Sequence, residues 1–174
     1  MYAKKTILSV TCLMMSAGLM SASHATDATG SLAVKVTIGA ACQLTSGDGS
    51  VLDFGRADDL SKDLNAQTAA GSGIKVKCSS GTAYTLGLDN GTNPTGGSAP
   101  FQRQMVSGDA KVPYGLYQDA DRKVPWPDID DKTALKNTGN GTEQEMAVYG
   151  TVPKMDKTPA SGDYADTVKV TLRF

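Results

Sequence analysis

The chain has 174 residues, and its 17 Lys and Arg stand against 18 Asp and Glu for a net charge of −1. That balance supplies no basic field for a nucleic-acid backbone, so DNA and RNA are not expected as partners. The single histidine is His24, and the cysteines are Cys12, Cys42 and Cys78.

Residues 1–25 read as a secretory signal. Lys4 and Lys5 form a basic start, Ile7 to Met20 an apolar stretch too short to span a bilayer, and Ser23-His24-Ala25 a small-x-small cleavage pattern. Removing this segment leaves residues 26–174, enough for one domain, and lowers the net charge from −1 to −3 because Lys4 and Lys5 go with it. His24 also leaves, which removes Ser-His-Asp and Cys-His catalysis and every imidazole metal site. Cys42 and Cys78 remain. An even count in an exported chain suggests a disulfide, with two free thiols as the alternative. In the chain-entropy account, closing such a loop contributes roughly 4 kcal/mol.

The first expected strand is Leu32 to Ile38, where Leu32, Val34, Val36 and Ile38 alternate with polar or small residues and the run continues through Cys42-Gln43-Leu44. Val51 to Gly55 is the next. Ala57 to Leu64 lacks a full apolar stripe and reads as loop with one or two helical turns at most. Ile74 to Cys78 follows with Ile74, Val76 and Cys78 on one face, and then Tyr84, Leu86 and Leu88 on another strand. Asn90 to Pro100 is a Gly- and Pro-rich loop. Val112 to Tyr117 and Met146 to Val152 are further strands, and Lys154 to Asp163 is a loop. The last run is Thr167 to Phe174, in which Val168, Val170, Leu172 and Phe174 alternate with Thr167, Lys169, Thr171 and Arg173. Seven short strands separated by turns predict an all-β antiparallel sandwich.

Few residues suggest chemistry. The acidic groups Asp58-Asp59, Asp119 with Asp121, and Asp128 with Asp130 and Asp131 do not follow calcium-loop spacing and read as solvated loops. Asn90-Gly91-Thr92 and Asn140-Gly141-Thr142 fit a glycosylation acceptor, but Asn-Gly is equally a turn signal, and the turn is the simpler reading. Trp126, in Val124-Pro125-Trp126-Pro127, is either an exposed contact residue or, as the preferred reading, a cover over one end of the core. A pair of acids meeting in space would serve a glycosidase, yet one Trp gives no aromatic lining for a sugar cleft. No enzyme and no cofactor or metal is expected.

The two terminal strands carry the strongest signal. Either both belong to a complete sandwich, or the last one is the edge of an incomplete one. An open edge beside an apolar groove invites aggregation unless another chain fills it. An extended peptide fills it by strand addition, with backbone bonds giving affinity and alternate side chains entering pockets. Leu32 to Ile38 has that character, and only Gly39-Ala40-Ala41 separates it from Cys42.

Taken together, these pieces resemble the spore coat protein U-like pilins of archaic chaperone–usher systems, the Csu-type pili. The resemblance rests on the alternating segment before Cys42, Leu52-Asp53-Phe54-Gly55, Ile74 to Cys78, Val112 to Tyr117 with Asp119 and Arg122, and Val148-Tyr149-Gly150. The ending from Gly162 to Phe174 is the most specific piece. The resemblance implies an incomplete immunoglobulin-like antiparallel β-sandwich that lacks its last strand, with residues 26–39 as an N-terminal donor-strand extension and residues 40–174 as the pilin domain. Leu32, Val34, Val36 and Ile38 would then be donor residues. Val168, Val170, Leu172 and Phe174 would form the acceptor edge, which a periplasmic chaperone also pairs with, and Cys42–Cys78 would be the disulfide. Expected partners are copies of the chain and other pilus subunits, the chaperone and an outer-membrane usher. The expected destination is a cell-surface fibre used in adhesion and biofilm formation. From the residues alone, a monomeric secreted ligand-binding sandwich stays open. So does a carboxylate hydrolase, which would need two facing acids, one with a raised pKa.

Overall fold

A computed structural model describes residues 26–46, 49–97 and 100–174; the expected signal at 1–25 lies outside the described residues. The chain divides into a leading unit ending at Val36 and a body from Thr37 to Phe174. In the leading unit, residues 26–36 form no helix or strand. Leu32, Val34 and Val36 are exposed there, as is Ile38 at the start of the body. The alternation that predicts a strand is present, but among the described residues no strand pairs with it.

The body contains ten strands among the described residues: β1 (Cys42–Leu44), β2 (Leu64–Gln67), β3 (Ile74–Cys78), β4 (Ala83–Leu88), β5 (Arg103–Ser107), β6 (Ala110–Tyr117), β7 (Leu135–Thr138), β8 (Glu143–Met146), β9 (Tyr149–Val152) and β10 (Val170–Arg173). All pairings are antiparallel. They form three sheets, β1-β3-β8, β10-β4-β7 and β2-β9-β6-β5.

Period-2 patterning accounts for the central strands. Ile74, Val76 and Cys78 of β3 are buried while Lys75 and Lys77 face Glu145 and Glu143 of β8 across the ladder. In β4, Tyr84, Leu86 and Leu88 point into the same core, and the Tyr84 hydroxyl reaches Met146 Sδ at 3.8 Å. Val112, Tyr114 and Leu116 of β6 and Val152 of β9 complete it. β5 and β6 are joined by Gly108-Asp109, with Gly108 at φ 58°, the left-handed first position that tight hairpins reserve for glycine.

Several expectations need correction. Val51 to Gly55 is not a strand, although Leu52 and Phe54 do pack against the core. They lie over Gly150 so closely that a Cβ there would fall 2.8 Å from Phe54 Cζ. Ala57 to Leu64 forms no helix; Leu60 is buried, and Leu64 opens β2. Met146 to Val152 is two strands, with Ala147-Val148 between β8 and β9. β2, β5, β7 and most of β8 are additional strands. The glycines of both Asn-Gly pairs take the left-handed conformation that turns favour, Gly91 at φ 74° and Gly141 at φ 83°. Trp126 covers the core, 1% exposed, and its Nε1 donates to the Leu86 carbonyl at 3.4 Å.

Candidate functional site

The most distinctive feature of the body is a seam between two strands that do not pair. β10 pairs β4 along one edge, Val170 opposite Leu88 through Arg173 opposite Thr85. β1 pairs β3, Cys42 opposite Cys78 through Leu44 opposite Val76. Both strands stand at the ends of their sheets, and among the described residues no strand pairs with their outer edges. They approach within 8 Å, Cα to Cα, without forming a ladder. Backbone donors and acceptors on both rims are therefore open to another strand.

The seam is apolar where it meets the core. Val168, Val170 and Leu172 pack against the core but remain only half buried. Their partners on β4, Leu86 and Leu88, are 0% and 2% exposed. Residues of identical character on adjacent strands differ because β4 has a neighbour on each side and β10 has only one. Phe174 is 61% exposed beyond the end of β10, and Leu44 of β1 is also exposed.

The approach to β10 is held by polar contacts. The Asp89 amide donates to the Lys169 carbonyl at 3.0 Å, and the Lys169 amide returns a bond to Asp89 Oδ1 at 2.9 Å. Asp166 accepts from the Thr92 amide at 3.0 Å, the Thr92 hydroxyl at 2.6 Å and the Tyr114 hydroxyl at 2.6 Å. Ala165 and Val106 exchange backbone bonds of 3.0 and 3.2 Å. Beneath them lies Arg103, 1% exposed. Its Nε donates to the Asp89 carbonyl at 2.7 Å, and its Nη2 to the carbonyls of Leu88 at 2.7 Å and Trp126 at 3.0 Å. Backbone dipoles thus satisfy a buried cation. Burial is the chief reason its pKa is depressed, with Tyr114, Asp89, Asp166 and Asp128 opposing. Burial also pushes the Tyr114 hydroxyl upward, reinforced by its bond to Asp166, so the phenol stays a donor.

The other rim is held covalently. Cys42 and Cys78 form a disulfide with Cα atoms 4.1 Å apart, near the spacing of a non-hydrogen-bonded antiparallel pair. It fastens the short β1 to the buried β3.

Of the residues the sequence singles out, Val168, Val170 and Leu172 lie together along the seam, with Phe174 beyond them, and Cys42 and Cys78 bond. Leu32, Val34, Val36 and Ile38 are each 84–88% exposed. The polar anchor of Arg103, Tyr114, Asp89 and Asp166 escapes sequence reasoning. Its only trace is an Arg in register with the inward-facing Met105 on an otherwise ordinary strand.

Catalytic arrangements find little support. Three carboxylates sit below the usual range: Asp59 through Ser61, Asp119 through the Val124 amide, and Asp131 through Thr133. A general acid would require the opposite shift. Among the described residues no cluster of three or more His, Cys, Asp or Glu could hold a metal ion, and no helix is long and apolar enough to cross a membrane.

Comparison with known proteins agrees with this geometry. The model of the Spore Coat Protein U domain matches residues 28–171. "Protein U" of Myxococcus xanthus is 31% identical over 181 aligned positions that cover 100% of both chains. Among solved structures, a chain in the CsuC–CsuE chaperone–tip adhesion subunit pre-assembly complex, from the archaic chaperone–usher Csu pili of Acinetobacter baumannii, superposes with a TM-score of 0.54 at 22% identity. That match covers 79% of this chain and 40% of the other, so this chain spans well under half of its length. The fold is the all-β, immunoglobulin-like antiparallel sandwich expected from the sequence. With the family model spanning most of the chain and a full-length relative beside it, the chain belongs to the spore coat protein U domain family.

Proposed function

We propose that this chain is a structural subunit of an archaic chaperone–usher pilus and that it polymerises by donor-strand complementation. It is a structural protein and not an enzyme. In this reading residues 1–25 direct export and are removed, and residues 26–39 are the donor extension of a body at 40–174. A periplasmic chaperone occupies the seam first, and at an outer-membrane usher the leading segment of another subunit replaces it. The product is a surface fibre serving adhesion and biofilm formation.

The observation that carries the reading is a complementary pair of exposures in one chain. Val170 and Leu172 are half covered on the unpaired edge strand, and Val168 is half covered in the chain just before it. Leu32, Val34, Val36 and Ile38 stand almost wholly in solvent at alternate positions. Burying each of these four contributes roughly 1.5–3 kcal/mol before ordering entropy is subtracted. A new backbone ladder along β1 and β10 adds to this, and satisfying otherwise open edges favours a long-lived junction.

The test is to purify the native protein without denaturation and run it in SDS before and after heating. A ladder of oligomers that collapses on heating is expected. Deleting residues 26–38 should abolish the ladder while leaving the body able to bind its chaperone. A soluble, chaperone-free monomer with unchanged stability after that deletion would defeat the proposal.

A further inference from the structure

We infer that the Cys42–Cys78 disulfide is the load-bearing link of the assembled fibre. It carries tension from a subunit's leading segment directly to the strand beside the acceptor edge and keeps the irregular chain between β1 and β2 out of the line of force. The inference rests on the proposed polymerisation, and it concerns what happens after assembly.

Chain connectivity and sheet order carry the argument. In a fibre each subunit is pulled at two places: through its own leading segment, and at the seam where it grips its neighbour. The leading segment enters the body through Gly39-Ala40-Ala41 and reaches Cys42, the first residue of β1. β1 is three residues long and has one ladder partner, β3. A pull on its first residue would open those few bonds one at a time. Beyond β1 the described chain is irregular until β2 at Leu64, so the packing of Leu52, Phe54 and Leu60, with no ladder, is what would resist further unravelling.

The disulfide removes that weakness. Cys78 is the last residue of β3, and β4 starts at Ala83 after a short turn. β4 is the ladder partner of β10. A force arriving at Cys42 therefore crosses the S–S bond to Cys78, passes a few residues of turn and enters the strand that holds the acceptor edge. The turn is itself braced: the Gly81 amide donates to the Gly139 carbonyl at 2.9 Å, and the Gly139 amide to the Thr82 carbonyl at 2.8 Å. β1 stays in place as one rim of the seam, and the neighbour's strand keeps both walls. Without the bond the same pull strips β1 from β3, removes a rim and releases the intervening chain. The chain freed ahead of β2, residues 43–63, would extend by up to about 70 Å.

The experiment stretches native fibres of the full chain end to end in a force probe, oxidised and after incubation with a phosphine reductant. Thiol labelling confirms that Cys42 and Cys78 have been reduced. Oxidised fibres should rupture without elongation steps of about 70 Å. Reduced fibres should show such steps, up to one per subunit, and rupture at a lower force. Fibres carrying Cys42→Ser and Cys78→Ser should behave like the reduced ones. Identical force–extension curves for labelled-reduced and oxidised fibres would overturn the inference while leaving polymerisation intact. A double variant whose body folds but which never forms fibres would also overturn it, by assigning the bond to assembly instead. If the oxidised wild-type chain forms no fibres, the proposed function fails and this inference falls with it.

Discussion

Replacing Val36 with Asp separates strand exchange from folding of the body. In the isolated chain Val36 is 84% exposed, so V36D should change the stability of the body by no more than about 0.5 kcal/mol, as for other surface substitutions. In the fibre the same side chain is to enter the apolar seam. Loss of the valine forfeits roughly 1.5 kcal/mol or more of burial. Desolvating a carboxylate, or protonating it to avoid that, adds a further penalty of several kcal/mol. A combined loss of about 4 kcal/mol weakens each junction roughly a thousand-fold. Lys35 has the opposite side-chain parity, so Lys35→Ser is the control and should leave junctions within about 0.5 kcal/mol of wild type. The assay is the temperature at which SDS-resistant oligomers collapse, set beside a urea melt of the body. A Val36→Asp fibre that collapses at the wild-type temperature, or a Lys35→Ser fibre weakened as much as Val36→Asp, would refute the reasoning.

Three further outcomes follow from the packing. Tyr114 holds its proton more tightly folded than unfolded, because burial and then Asp166 raise its pKa, whereas a free phenol titrates near about 10. Below that pH both states are protonated and the full stability is present; above it the unfolded chain releases a proton the folded one keeps. Stability should thus fall with rising pH by about 1.4 kcal/mol per pH unit through Tyr114; Tyr84 and Tyr117 are shifted in the same direction. Urea melts at increasing alkaline pH should show a slope shallower by one proton in Tyr114→Phe, and an unchanged slope would contradict the assignment. Trp126→Ala should destabilise the body by roughly 3–5 kcal/mol by emptying a fully buried site; a melt within about 1 kcal/mol of wild type would mean the ring is not the cover described. Gly150→Ala should cost about 1–3 kcal/mol, since the added methyl meets Leu52 and Phe54 at 2.8–3.1 Å; Leu52→Ala should reduce that penalty in a double-mutant melt, and strictly additive losses would argue against the clash.

The central strands were legible because each carries three or four inward-facing apolar residues at period 2, as in Ile74-Val76-Cys78 and Tyr84-Leu86-Leu88. The strands that escaped reading have another source of stability. β2 is Leu-Asn-Ala-Gln, β7 is Leu-Lys-Asn-Thr and β8 is Glu-Gln-Glu-Met, each at the end of its sheet. An end strand gains its ladder from one neighbour and needs little apolar patterning of its own. β5 hides its signal because its most buried side chain is Arg103. Conversely, Leu52 and Phe54 alternate like a strand yet lie in irregular chain, since they cover Gly150 without a ladder partner. At the seam, the apolar half was written in Val168, Val170 and Leu172. The polar half was not, because Asp166 lies 52 positions from Tyr114 and 74 from Thr92, and only the folded topology brings them together.

The chain holds one tryptophan, and that residue is sealed inside the body against β4. Its ultraviolet emission should be blue-shifted while the sandwich is intact and move to longer wavelengths when it opens. The leading segment contributes no indole signal. The protein thus brings its own optical probe of subunit integrity, readable during assembly without attaching a dye.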